Sequence, residues 1–99
     1  MTKIALVTGS SRGLGRNTAL AIARKGGDVI VTYHSRSGDA DKVVAEIQAM
    51  GRKAVALQLD TGNVAGFADF ATRLKDVLGT TWRRNTLDHL VNNAGHGDY

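Results

Sequence analysis

Cysteine and proline are absent from the 99-residue sequence, aromatic side chains make up only 5% of it, and no apolar run is long enough to cross a bilayer. The lack of cysteine excludes disulfide bonds and thiolate metal sites. The segment from Met1 to Gly9 carries one positive charge and an apolar run that a glycine soon ends, which is unlike a signal peptide. We therefore expect a cytoplasmic protein without a membrane segment.

The basic residues do not form a continuous stripe, although the formal net charge is +4. Their only local excess comprises Arg73, Lys75, Arg83 and Arg84, and Asp76 lies within it. A nucleic-acid footprint needs a contiguous basic surface and a recognisable reading motif. We expect no nucleic-acid partner, whereas a phosphate-bearing small ligand is compatible with this charge.

Four short apolar runs indicate the strands, because none shows the alternation of a strand with one wet face. They span Lys3–Val7, Val29–Tyr33, Ala54–Leu59 and Leu87–Val91. Helical patterns separate them, so the order β-α-β-α-β-α-β predicts a parallel sheet covered on both faces. Right-handed crossovers make this an incomplete Rossmann-type doubly wound α/β fold with strand order 3-2-1-4. Residues 1–99 are expected to form the N-terminal part of a single domain.

The first two helices have identifiable faces and ends. The first runs from about Leu14 to Lys25, and its small residues Gly15, Ala19 and Ala23 share one face that can pack closely on the first strand. The second is expected to follow a cap at Asp39 and to stop at Gly51.

The third helix is predicted from apolar residues at helical spacing, namely Val64, Phe67, Ala71, Leu74 and Leu78. The segment from Gly79 to Thr86 breaks that pattern. We expect it to be a surface loop that leads into the fourth strand.

A glycine-rich segment, Thr8-Gly9-Ser10-Ser11-Arg12-Gly13-Leu14-Gly15, joins the first strand to the first helix. Glycines let the backbone turn sharply and approach a ligand, while the N–H groups of a helix start favour negative charge. The segment therefore predicts a pyrophosphate site; the alternative is a tight turn that binds nothing. Its spacing is neither that of the commonest dinucleotide fingerprint nor that of a Walker loop.

This segment resembles the Thr-Gly-x-x-x-Gly-x-Gly motif of short-chain dehydrogenases/reductases, and Asn92-Asn93-Ala94-Gly95 resembles that family's second hallmark. Both would follow strands that meet where the strand order reverses, so they converge on one crevice. The resemblance implies a cofactor site made of Gly9, Ser10, Ser11, Arg12, Gly13, Leu14 and Gly15 at the pyrophosphate and ribose, Asp60 and Thr61 at the adenine, and Asn93, Ala94 and Gly95 on the ribose side. Asn92 alternatively ties neighbouring strands together, and the same reading remains open for Asn93.

The end of the second strand predicts NADP(H) in preference to NAD(H). Enzymes that choose NAD usually place a carboxylate there, roughly 20 residues beyond the glycine loop. Here the position falls at Tyr33, His34, Ser35 and Arg36, none of which is acidic. Arg36 and Arg12 could bind a 2′-phosphate with charge-assisted hydrogen bonds. Alternatively Arg36 is solvated and Arg12 packs over the adenine.

No catalytic residue is identified in the chain. The family uses a Tyr-x-x-x-Lys pair and a serine to reduce a carbonyl, and no Tyr-x-x-x-Lys occurs in the 99 residues. We assign no catalytic role to His96, Asp98 or Tyr99, and no two histidines have metal-site spacing. We expect the chain alone to be inactive and to supply cofactor binding to an enzyme acting on a carbonyl or alcohol.

The resemblance also implies that the full-length form is a homo-oligomer. Two alternatives remain: a non-catalytic dinucleotide-binding module that acts at this length or through a partner chain, and a methyltransferase-type sheet. The latter would not explain the segment from Asn92 to Gly95 or a basic residue inside the glycine loop.

Overall fold

The computed structural model describes residues 3–8, 13–34, 37–59 and 65–92. Their strands and helices follow the predicted order; the strand bounds lie within two residues of the expected ones, and the second helix begins three residues earlier than expected. The elements are β1 (Ile4–Thr8), α1 (Gly13–Arg24), β2 (Asp28–Tyr33), α2 (Ser37–Ala49), β3 (Ala54–Gln58), α3 (Ala65–Val77), a π-helical turn (Leu78–Trp82) and β4 (His89–Asn92).

The four strands form one parallel sheet in the order β3-β2-β1-β4, as the sequence predicted. The chain adds β2 and β3 on one side of β1 and then returns to place β4 on the other side. Val7 of β1 is in register with Val31 of β2 and with Val91 of β4. The reversal of strand order therefore falls between β1 and β4.

Two hydrophobic clusters cover the two faces of the sheet. Alternate residues of β1 divide between them, because successive side chains of a strand point to opposite faces. Ala5 and Val7 pack with apolar residues of α1 and α2, whereas Ile4 and Leu6 pack with Phe70 of α3 and its neighbours. All five residues of β1 are buried, which accounts for its continuous apolar run.

The small residues of α1 lie where the sequence placed them. Gly15, Ala19 and Ala23 are all buried, and α1 contacts β1, β2 and α2. Gly51 ends α2 in the left-handed region, with φ of 83°, as its predicted stop requires. Asp39 is not the cap, since α2 begins at Ser37 and Asp39 lies in its first turn. A carboxylate in the first turn still interacts favourably with the positive end of the helix dipole.

The predicted buried face of α3 is partly wrong. Phe67 is 43% exposed and Ala71 is also exposed, whereas Phe70, which the prediction omitted, is only 8% exposed. Leu78 is buried as expected, and Val64 lies outside the described residues. Leu74 packs against the core as expected. Both sets of positions satisfy helical spacing, and contact with the sheet selects the one that contains Phe70.

The segment expected to be a surface loop, Gly79 to Thr86, instead begins as a continuation of α3. Leu78–Trp82 forms a π-helical turn, and Arg83 ends it in the left-handed region with φ of 56°. The backbone N–H of Arg83 donates to Gly79 O at 3.2 Å. Trp82, the last residue of the turn, donates to Asp28 at 2.7 Å and packs against the core, and a local sequence pattern cannot reveal these contacts.

Candidate cofactor site

The carboxyl ends of β1 and β4 lie side by side at the reversal of strand order. Thr8 ends β1 and is in register with Asn92, which ends β4. The Thr8 hydroxyl donates to the carbonyl oxygen of Val91 at 3.3 Å, which links the two strand ends. In open parallel sheets this is where ligands bind, because the connections on either side diverge and leave a crevice.

The start of α1 faces this edge, five residues after Thr8 in the chain. Its first turn contains no acidic side chain, so no carboxylate competes for the positive end of the helix dipole. Gly15 is buried, and Leu14 is 80% exposed. A helix start of this kind can accept an anionic group through its backbone N–H groups.

The end of β2 is held by β3. Tyr33 and Gln58 are register partners, and the Leu59 N–H donates to Tyr33 O at 2.8 Å. The side-chain amide of Gln58 then donates to the carbonyl oxygen of His34 at 3.0 Å. His34 is exposed and Tyr33 is half-buried. These bonds define the backbone directly before residues 35 and 36.

Two cationic side chains connect helices near this edge to other elements. Arg16 Nη2 lies 2.6 Å and 2.8 Å from the two carboxylate oxygens of Glu46, which joins α1 to α2. Arg73 Nη2 donates to the backbone carbonyl of Gln58 at 2.9 Å, which joins α3 to the end of β3. Arg73 Nε also lies 3.2 Å from Asp69 Oδ2, a contact that does not meet hydrogen-bond geometry.

Part of the predicted site lies within the described chain. The structure places Leu14 and Gly15 with Gly13 in the first turn of α1, and His34 at the carboxyl end of β2. The other predicted contacts lie outside the described residues; they are Gly9, Ser10, Ser11, Arg12, Ser35, Arg36, Asp60, Thr61, Asn93, Ala94 and Gly95. His96, Asp98 and Tyr99 lie outside them as well.

Two carboxylates that accept hydrogen bonds lie at the amino ends of the strands, opposite the candidate site. Asp28, 4% exposed, accepts hydrogen bonds from the Lys53 N–H at 2.9 Å and from the Trp82 indole N–H at 2.7 Å. Asp88 accepts the Ile4 N–H at 2.8 Å and pairs with Arg84 at 3.0 Å. The bond from Ile4 is the main reason that the pKa of Asp88 lies below its ordinary value; partial desolvation opposes it, and Arg84 adds to it.

His89 lies in β4 and is exposed. Within the ranges that the structure describes, no group of three or more His, Asp or Glu side chains could hold a metal ion. Those ranges also contain no helix long and apolar enough to cross a membrane.

The fold is a doubly wound α/β sheet whose strand order reverses between β1 and β4, where sheets of this kind bind ligands. The chain belongs to the short-chain dehydrogenase family, whose model matches residues 3–99. A 3-oxoacyl-[acyl-carrier-protein] reductase of Synechocystis is 45% identical over 94 residues. A 1-cyclohexenylcarbonyl-CoA reductase of Streptomyces collinus is 40% identical over 92 residues. These matches cover 94% and 93% of this chain, but only 35% and 31% of the relatives.

Solved structures of oxidoreductases share the fold. The acetoin dehydrogenase of Enterobacter cloacae is 39% identical with a TM-score of 0.78, and the alignment covers 94% of this chain and 34% of that one. The angucycline C-6 ketoreductase LanV, solved with bound NADP, is 31% identical with a TM-score of 0.84, covering 89% and 34%. The chain therefore spans about a third of the length of the relatives it matches.

The sequence analysis selected neither Gln58, at the carboxyl end of β3, nor the ion pair between Arg16 and Glu46, which joins α1 to α2. The ion pair joins residues thirty positions apart, and no local pattern pairs them. Gln58 did leave a signal, since it is the polar last residue of an otherwise apolar strand. A polar side chain at the carboxyl end of a parallel strand lies at the ligand edge.

Proposed function

We propose that this chain binds NADP(H) for an oxidoreductase that transfers hydride to or from a carbonyl or alcohol substrate. The observation that carries the proposal is the convergence of the α1 start with the carboxyl ends of β1 and β4 at the reversal of strand order. When bound, the nicotinamide ring accepts or supplies the hydride. The chain's own residues bind and orient the dinucleotide.

In this proposal the glycine segment from Gly9 to Gly15 receives the pyrophosphate and the adjoining ribose. Asp60 and Thr61 border the adenine, and Asn93 to Gly95 line the ribose side. Family membership supports these roles. The described geometry fits them, because α1 starts without an acidic side chain at the edge where an anion would bind.

The preference for a 2′-phosphate is proposed from the end of β2. No carboxylate follows Tyr33 before α2 begins at Ser37, so nothing in that connection repels a phosphate. Arg12 and Arg36 are the proposed attracting groups. LanV, which shares the fold, was solved with bound NADP, and this supports the assignment.

Catalysis and substrate choice are not assigned to these residues. No Tyr-x-x-x-Lys occurs in the sequence, so we propose that these 99 residues form the cofactor-binding N-terminal part of a single domain. We also propose that the full-length form acts in the cytoplasm as a homo-oligomer. The reductases and dehydrogenases among its relatives support a carbonyl or alcohol substrate, which we propose is a small molecule.

The test uses two ligands that differ only in the 2′-phosphate, namely 2′,5′-ADP and 5′-AMP. Calorimetry on this chain should show tighter binding of 2′,5′-ADP. Replacing Arg12 or Arg36 with alanine should lower the affinity for 2′,5′-ADP about 10- to 150-fold, which corresponds to the loss of one charge-assisted hydrogen bond. The affinity for 5′-AMP should stay nearly unchanged. Arg24→Ala is the matched control, because Arg24 is exposed at the far end of α1. Equal or tighter binding of 5′-AMP by the unmodified chain would refute the NADP(H) assignment.

A further inference from the structure

We propose that Gln58 is a positioning residue that sets the cofactor preference by holding the end of β2, an inference that rests on the proposed function. Its side-chain amide donates to the carbonyl oxygen of His34 at 3.0 Å. His34 immediately precedes residues 35 and 36, where the 2′-phosphate contact is proposed. Gln58 itself need not touch the cofactor.

The connection between β2 and α2 is short enough for its ends to control it. Only residues 35 and 36 separate His34 from Ser37, the first residue of α2. Consecutive Cα atoms are about 3.8 Å apart, so each of these two residues lies one step from a placed neighbour. We therefore expect the placement of His34 and Ser37 to limit where Arg36 can lie.

The helix end of this connection has its own restraints. Ala40 and Val43 of α2 are buried in the core, and Glu46 forms the ion pair with Arg16 of α1. Core packing and the ion pair between Glu46 and Arg16 thus set the position of α2 relative to α1. The strand end has a separate restraint, the hydrogen bond from Gln58 to His34.

Gln58 can restrain the strand end because its own backbone is restrained. Its carbonyl oxygen accepts a hydrogen bond from Arg73 at 2.9 Å, and the next residue, Leu59, donates to Tyr33 at 2.8 Å. The regular register between β2 and β3 ends at the pair of Tyr33 and Gln58. The Gln58 amide extends the connection between the strands by one residue, to His34.

The experiment compares Gln58→Met with Gln48→Met, which makes the same substitution at an exposed site on α2. Methionine keeps the length of the side chain and removes the donor without adding charge. We expect Gln58→Met to weaken 2′,5′-ADP binding about 3- to 10-fold, within the range of one net hydrogen bond, and to change 5′-AMP binding less than about twofold. Gln48→Met should change neither.

A second pair of variants tests whether Gln58 acts through Arg36. In an Arg36→Ala background, Gln58→Met should cause no further loss of 2′,5′-ADP affinity, because the group that it positions is gone. An equal additional loss there would overturn the inference, and so would an equal weakening of both ligands by Gln58→Met alone.

The outcomes separate this inference from the proposed function. If the unmodified chain prefers 2′,5′-ADP and Gln58→Met binds it equally well, the inference fails and the function stands. If the unmodified chain binds neither ligand, the proposed function fails and the inference fails with it.

Discussion

Asp28→Asn should destabilise the fold because it leaves one of two hydrogen-bond donors without an acceptor. The carboxylate of Asp28 accepts one hydrogen bond on each oxygen, from the Lys53 N–H at 2.9 Å and from the Trp82 indole N–H at 2.7 Å. Asparagine keeps a single acceptor oxygen. Its NH2 group must therefore point at one of the two donors, whichever way the amide is turned.

The size of the effect follows from the burial of Asp28, which is 4% exposed. The two bonds are only partly buried, so a donor left without an acceptor should cost toward the lower end of about 1–3 kcal/mol. The free energy of unfolding of a small domain is about 5–15 kcal/mol, so the loss is readily measured. Trp82→Phe removes the indole donor, and asparagine can then keep its oxygen on Lys53. In that background Asp28→Asn should cost about 1–2 kcal/mol less than in the unmodified chain.

The coupling between Asp28 and Trp82 is measured by urea unfolding, followed by far-UV circular dichroism. The four proteins compared are the unmodified chain, Asp28→Asn, Trp82→Phe and the double variant. Fluorescence is unsuitable because Trp82 is the only tryptophan in the sequence. Asp41→Asn, at an exposed site on α2, is the matched control and should change the free energy of unfolding by less than about 0.5 kcal/mol. Additive effects of Asp28→Asn and Trp82→Phe would refute the argument, because they would show that the two side chains do not interact.

Three further predictions concern activity, pH and association. The chain should not oxidise NADPH with any ketone or aldehyde in a spectrophotometric panel, and turnover would contradict the assignment of catalysis elsewhere. Because the pKa of Asp88 is lowered in the folded chain, its ionisation stabilises the fold fully above the ordinary aspartate pKa of about 3.9, and this contribution is lost as the pH falls through the lowered pKa. The difference in Tm between the unmodified chain and Asp88→Asn should therefore shrink on acidification; a constant difference would exclude this linkage. Leu90 is 64% exposed on β4, which pairs only with β1 in the described sheet, so the chain should self-associate in sedimentation and Leu90→Lys should reduce that association. Unchanged association would show that β4 is not the contact.

The sequence was sufficient to predict the strand order, because period and order are local properties that topology rules then combine. The small-residue face of α1 and the stop at Gly51 were predictable for the same reason. The buried face of α3 was not, since Phe67 and Phe70 both fit helical spacing. The π-helical turn also escaped prediction, because a local pattern does not reveal tertiary contacts such as the bond between Trp82 and Asp28, which are 54 positions apart.

The candidate site, like the fold, could be predicted from the sequence only in part. Its location followed from the glycine segment and the strand ends, because parallel strands bring their carboxyl ends to one edge. The cross-strand amide from Gln58 to His34 could not be predicted, since it depends on register and on a side-chain rotamer. The individual contacts assigned to Arg12, Arg36 and Asp60 remain predictions.

The two edges of the sheet should respond differently to mutation, and this gives the last prediction. Asp28 lies at the amino end of β2, and the proposed ligand contacts lie at the carboxyl ends. Asp28→Asn changes the population of folded chain, so it should lower the apparent affinities for 2′,5′-ADP and 5′-AMP by one common factor. Gln58→Met should change the ratio of the two affinities and leave urea stability within about 1 kcal/mol, because the bond that it removes is exposed. Calorimetry with both ligands, at a urea concentration where part of the chain is unfolded, measures both effects. If Asp28→Asn changed the ratio of the two affinities, a residue at the amino ends of the strands would influence ligand choice. The expectation that this end affects only stability would then be wrong.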